Sequence, residues 1–217
     1  MASDLLSSSL LSNSHTMCGL DKLSVIFRIL SSIAVGYTFN ENWFAASILN
    51  EIIDWINNKD AATPRIFWLY GQAGKGKSAI AHTIAIHAQN VGMLGSCFCF
   101  SWVRQHEELH MKLFPTIARD LARHDLRVRL RLDEVVSKNY SSKKRPNIME
   151  EWKRLILEPL SRLEGSFTGN VVIVIDALDE SGMECMRVAI LRVLAAYSAE
   201  LPAKVQILLT LRPFSDI

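Results

Sequence analysis

The chain has 217 residues, 49% hydrophobic and 21% charged, which is enough to bury a sizeable core as one globular domain. Lysine and arginine exceed the acids by only 24 to 22, so no global charge draws the protein to nucleic acid or to an anionic membrane. Four scattered cysteines (Cys18, Cys97, Cys99, Cys185) exclude a disulfide framework and a zinc-binding spacing, and read as reduced thiols of a cytoplasmic protein.

Residues 1 to about 40 read as a serine-dense lead-in, partly disordered, without the basic start or unbroken apolar centre of a secretory signal. Its most apolar run, Leu23–Tyr37, is interrupted by Arg28 and falls short of the ~20 residues that span a bilayer. It is expected to be a packing or interaction helix, not a membrane anchor. Further on, Ile48, Leu49, Ile52, Ile53 and Ile56 draw one apolar stripe, predicting a helix over Phe44–Ile56 that ends in the loop before Pro64.

Arg65–Tyr70 (RIFWLY) has the composition of a strand buried on both faces. A glycine-rich loop follows, then a helix over Ser78–Gln89 whose alanines permit close packing on a sheet, then a strand over Gly95–Trp102 with Cys97 and Cys99 on one face. A helical stretch from about Lys112 to Tyr140 is expected to break near His124 and Asp125, and IMEEWKRLILEPLSRL reads as an amphipathic helix. A strand over Asn170–Ile175, a helix from about Met183 to Ala199 and a strand over Lys204–Thr210 complete the series. Strands alternating with helices predict βαβ crossovers and an α/β fold with a mainly parallel sheet.

The chemistry concentrates at two places. Gly71-Gln72-Ala73-Gly74-Lys75-Gly76-Lys77-Ser78 fits GxxxxGK[ST] and lies between a predicted strand and a predicted helix. Glycines there let successive N–H groups turn toward one anion, and the unpaired amides of the helix start, from Ala79 inward, add to the same site. Lys77 would reach the β- and γ-phosphates and the Ser78 hydroxyl would ligate Mg²⁺, whereas Lys75 is expected to point to solvent. The second place is VVIVIDALDE. Asp176 follows a buried strand, at the edge where parallel sheets collect their ligands, and could hold Mg²⁺ opposite Ser78. Asp179 and Glu180 are suited to polarising an attacking water, unless they serve only to cap the next helix. Arg212, after the last strand, is a candidate cation for a transferring phosphoryl group.

With these residues in hand, the chain resembles the NACHT class of STAND P-loop NTPases, especially the fungal group with a nephrocystin-like N-terminal NTPase domain. The matching pieces are IFWLYGQAGKGKSAIAHTIA, GSCFCFSW, LFPTIARDLA, WKRLILEPL, VVIVIDALDE and ILLTLRPF, in family order from about residue 45 to 215. Ala177 with the Asp179–Glu180 pair looks like the NACHT form of the acidic motif. Trp102 stands where relatives usually carry an arginine, with Arg104 displaced, and Leu211 stands where they commonly have a serine. The resemblance implies a three-layer P-loop fold over residues 41–217, binding of ATP or GTP with Mg²⁺, slow hydrolysis, and signalling in innate immunity or non-self recognition. Signalling-protein partners or self-association would follow from that. It also implies that the fold is truncated after its fourth core strand, leaving the strand before the glycine loop as an exposed sheet edge.

An NKxD guanine signature is missing after the acidic motif, which favours ATP. The basic stretches RDLARHDLRVRLRLD and SSKKRP come with no aromatic platform or nucleic-acid-binding motif, and His82 and His87 share no helix face for a metal. A phosphotransferase would need an arginine-rich lid, and no such segment is visible. A degenerate module that binds nucleotide without hydrolysing it, or binds none, remains open.

Overall fold

The computed structural model describes residues 34–38, 45–58, 60, 62–101, 109–138, 147–163, 167 and 169–212. Trp102, Arg104, the SSKKRP loop and residues 1–33 lie outside them. The strands are β1 (Ala34–Thr38), β2 (Ile66–Tyr70), β3 (Leu94–Cys99), β4 (Val171–Asp176) and β5 (Val205–Leu211). Among the described residues they form one parallel sheet in the order β1-β2-β5-β4-β3. The helices are α1 (Ala45–Asn57), α2 (Lys77–Asn90), α3 (Leu109–His124), α4 (Leu126–Lys138), α5 (Ile148–Trp152), α6 (Glu158–Ser161) and α7 (Glu184–Tyr197).

The alternation of side chains along each strand sorts the core into two faces. Phe67, Leu69, Val172, Val174 and Leu208 meet α1 and α2, whose Ile48, Ile52, Trp55, Ile80 and Ile84 cover them. Ile66, Trp68, Ile173, Ile207 and Leu209 point the other way, into the layer built from α3 to α7. The result is a three-layer α/β fold, as the order of elements predicts. Ala81, Ala85 and Ala88 are nearly fully buried, so α2 lies close on the sheet. The lower end of α1 is fixed by polar groups of the sheet: Gln206 Nε2 donates to the Trp55 carbonyl at 2.8 Å, and Asn170 Nδ2 donates to that of Ile56.

Two sequence expectations change. Ala34–Thr38 is not the end of a helix but a strand, paired in parallel with β2 from Ala34↔Ile66 to Thr38↔Tyr70. Part of the expected lead-in therefore belongs to the sheet, and β2 is not an edge: β1 covers one side and β5 the other. The physical reason is the unpaired N–H and C=O row that β2 would otherwise present. The second change is in the amphipathic helix from Ile148. It begins with an Asn147–Glu150 capping box, as the NxxE spacing allows, but passes through a π-helical turn at Lys153–Leu157 before α6. Pro159 has no N–H to return to the carbonyl four residues earlier, so the turn ahead of it widens, with the Glu158 amide donating to the Lys153 carbonyl.

Other boundaries move by a few residues. The break between α3 and α4 falls at Asp125, and α3 starts at Leu109, which puts Pro115 inside it. No helix among the described residues is long and apolar enough to cross a membrane.

At Gly95 the β3 backbone packs closely against side chains of α3 and β4. A Cβ there would lie 2.5 Å from Val171 Cγ1 and 2.8 Å from Leu121 Cδ2. Gly95→Ala is therefore expected to destabilise the fold by about 1–3 kcal/mol through overpacking. Urea unfolding would read this as a lower midpoint with an unchanged slope; an unchanged midpoint would refute the packing account.

Candidate functional site

The glycine loop leaves the C-terminal end of β2 and enters α2. Gly74 (φ 74°) and Gly76 (φ 87°) both take left-handed backbone angles, which is why this stretch needs glycine, and a Cβ at either would meet nothing within 4 Å. The cradle is thus open on the side those hydrogens face. At its N-terminus α2 has Gly76 as cap residue, with no capping side chain and no acid in the first turn, so neither side-chain caps nor carboxylates compete for its first amides. Lys77 is 8% exposed. Its ammonium folds back over the loop, donating to the carbonyl of Gly71 and, at 2.8 Å, to that of Gln72.

Opposite the loop stands the end of β4. Asp176 is buried and shares a sheet face with Val172 and Val174, hence with α2. Its Oδ1 accepts a hydrogen bond from the Thr210 hydroxyl of β5, and the Thr210 Oγ1 in turn accepts from the Ala177 amide at 2.9 Å. One hydroxyl therefore joins the strand end to the turn that follows it. Ala177, at φ 56°, is the one non-glycine residue with positive φ among the described residues. That conformation costs of order 1 kcal/mol or more, and the Thr210 bond helps to hold it.

The chain then makes a single 3₁₀ turn, Leu178–Glu180. It does not cap α7, whose cap residue is Met183 with no side-chain bond. Asp179 and Glu180 instead meet Arg212. Arg212 Nε lies 2.9 Å from Asp179 Oδ2, Arg212 Nη2 lies 3.1 Å from Glu180 Oε1, and the Arg212 amide donates to Asp179 Oδ1 at 3.1 Å. Burial pushes the Asp179 carboxyl above its ordinary value, and the opposing pull of Arg212 and of two backbone hydrogen bonds is smaller. Behind the turn, Arg187 of α7 is buried and donates from Nη1 to the Asp179 carbonyl at 3.2 Å. Desolvation lowers its pKa, against the charges of Asp179 and Glu184.

Loop and acidic turn enclose a cavity of about 310 Å³. Gly74, Lys77, Ser78 and Ala79 line one wall, while Asp179, Glu180, Thr210 and Arg212 line the other. Lys75 is partly buried and also lines the cavity, so it does not simply point to solvent. Gly71 and Gln72 act through the carbonyls that hold Lys77, and Asp176 lies behind Thr210. The sequence reading missed two residues here, Thr210 and Arg187. Thr210 could have been found as the polar residue interrupting an aliphatic strand on the same face as Asp176. Arg187 carries a weaker signal, a cation within the apolar period of α7, and the left-handed angle of Ala177 left no signal.

A glycine-rich loop between the first central strand and its helix, at the C-terminal edge of a parallel sheet and facing an acid-tipped strand, defines a P-loop-type three-layer α/β protein. A family model described as Nephrocystin 3, N-terminal, matches residues 42–212. The chain belongs to this nephrocystin-3 N-terminal family. No curated protein and no solved structure matches it.

The pairing makes a pH-dependent prediction. In Arg212→Ala, two carboxylates lose their cation, and the buried Asp179 moves further above its unfolded value. A carboxyl raised on folding is no burden below its unfolded pKa and costs most above its folded one. The loss of stability relative to wild type should therefore grow between about pH 4 and neutrality. Thermal melts across that range test it; a difference independent of pH would show that Arg212 does not compensate Asp179.

Proposed function

We propose that the chain is the nucleotide-binding core of a NACHT-type STAND switch, a cytoplasmic NTPase that binds ATP or GTP with Mg²⁺ and hydrolyses it slowly. The signalling it serves would be of the innate-immunity or non-self-recognition kind, with signalling proteins or further copies of the chain as partners. The observation that carries this reading is a cavity of about 310 Å³ that has Lys77 and the start of α2 on one wall and the Arg212-linked acids on the other.

The residues fit a magnesium triphosphate. Left-handed Gly74 and Gly76 leave open space where side chains would otherwise stand, and the donors at that wall are amides and an ammonium. Lys77 would exchange its two carbonyl partners for phosphate oxygens, while the amides from Gly74 to Ala79 would hold the phosphate chain. The Ser78 hydroxyl and the Asp176 carboxylate would hold Mg²⁺, with Thr210 orienting the latter. The ion, when bound, neutralises charge on the phosphates as the terminal bond breaks. Asp179 and Glu180 would orient the attacking water and take its proton, which requires Arg212 to loosen from them. A γ-phosphate is a competing anion for Arg212, so its arrival would free the acids and bring a cation to the transferring group.

A second reading, nucleotide binding without turnover, draws on the same ion pairs: with Arg212 held by both carboxylates, neither acid is free to act as base.

Calorimetry with MgATP and MgGTP tests binding. Lys77→Ala should weaken it by about tenfold to a hundredfold, the worth of charge-assisted hydrogen bonds, and equal affinities in wild type and variant would reject the phosphate-loop reading. Release of free phosphate without an added acceptor separates hydrolysis from the binding-only reading, in which nucleotide is recovered unchanged. Transfer seen only when a small acceptor is supplied would overturn both.

A further inference from the structure

We propose that Cys97 and Cys99 form a dithiol modification site, closing to an intramolecular disulfide on reaction with a hydroperoxide. The two residues stand two apart on β3 and so project from the same sheet face. Cys99 is exposed and open to a small oxidant, while Cys97 is partly buried against the α1 and α2 layer, placed to resolve and not to meet solvent first.

The chemistry balances with the hydroperoxide alone. The Cys99 sulfur attacks the outer peroxide oxygen, the O–O bond breaks, and a sulfenic acid and an alcohol, or water, are formed. The Cys97 sulfur then attacks the sulfenic sulfur, the S–O bond breaks and water leaves with the second thiol proton. Two thiols are oxidised and one peroxide is reduced.

Geometry explains why the bond would matter. Residues two apart on an extended strand are about 6.6–6.8 Å apart at Cα, at the upper limit of the roughly 4.4–6.8 Å that disulfides span. Closure must therefore shorten the end of β3. The strand can yield: among the described residues it pairs only with β4, and its register already slips between Leu94 and Ser96. What it pulls on is the acidic motif, because Cys99 is the register partner of Asp176 and the Phe100 amide donates to the Asp176 carbonyl at 3.0 Å. Oxidation at β3 should thus displace Asp176, and this consequence rests on the proposed magnesium-nucleotide role of that residue.

The test uses the full chain carrying Cys18→Ser and Cys185→Ser, treated with hydrogen peroxide. Cys97 and Cys99 fall in one tryptic peptide, which should become lighter by two hydrogens, resist alkylation and recover with dithiothreitol. Added oxygens on Cys99 with Cys97 still alkylatable, a covalent dimer, or no change would each overturn the site. Affinity for MgATP, measured on reduced and oxidised protein, should fall by about fivefold or more on oxidation, and the further variant Cys97→Ser should abolish the reversible response. A reduced protein that binds no nucleotide would refute the proposed function while the mass result still decides the disulfide. Equal affinity in the two forms would refute the link to Asp176.

Discussion

A strand with helices on both faces cannot carry a charge until it ends. β2, β4 and β5 are such strands, and β4 and β5 are buried along their whole length. Interior positions are held by aliphatic and aromatic side chains, with Gln206 and Thr210 each using a hydrogen bond to offset burial. Ionisable groups are therefore collected at the C-terminal ends, where β4 finishes in Asp176 and β5 is followed by Arg212. Because the strands are parallel, those ends gather on one edge, and the loop after β2 arrives there too. The site is in this sense a by-product of the core: the same requirement that keeps charge out of the sheet assembles it at the rim.

What could be read in advance follows the same division. β4 and the glycine loop were legible because their signals are local: five β-branched residues in a row, and glycines at fixed offsets from a lysine and a serine. The apolar stripe of α1 and the alanine-rich run of α2 were legible for the same reason. β1 was not, since AVGYT is short, contains Gly36 and continues an apolar run without alternation. Its state is decided by the bare side of β2, whose paired residues lie 32 positions further along the chain. The π turn was hidden too, because the apolar stripe persists through it while the backbone changes. Ion pairs between Arg212 and the 3₁₀ turn depend on the β4–β5 register and on the angle of Ala177, which no spacing along the chain encodes.

The acidic turn is held from three sides: by the Thr210 hydroxyl at its start, by Arg187 behind its Asp179 carbonyl, and by Arg212 across its carboxylates. These ties differ in kind. Those of Thr210 and Arg187 are buried and fix the backbone, so removing either leaves polar groups without partners. Arg212 is more exposed and meets the carboxylates themselves, so its loss would leave the backbone ties in place but would strip the buried Asp179 of the cation that compensates it. Backbone and side chains of one turn thus have separate restraints.

The first strand has a mechanical meaning. Thr38 shares its rung of the ladder with Tyr70, and Tyr70 is bonded directly to Gly71. A displacement of Thr38 would thus act, across a single rung, on the residue from which the glycine loop leaves the sheet. The first strand of the sheet is therefore one ladder rung away from the mouth of the cavity.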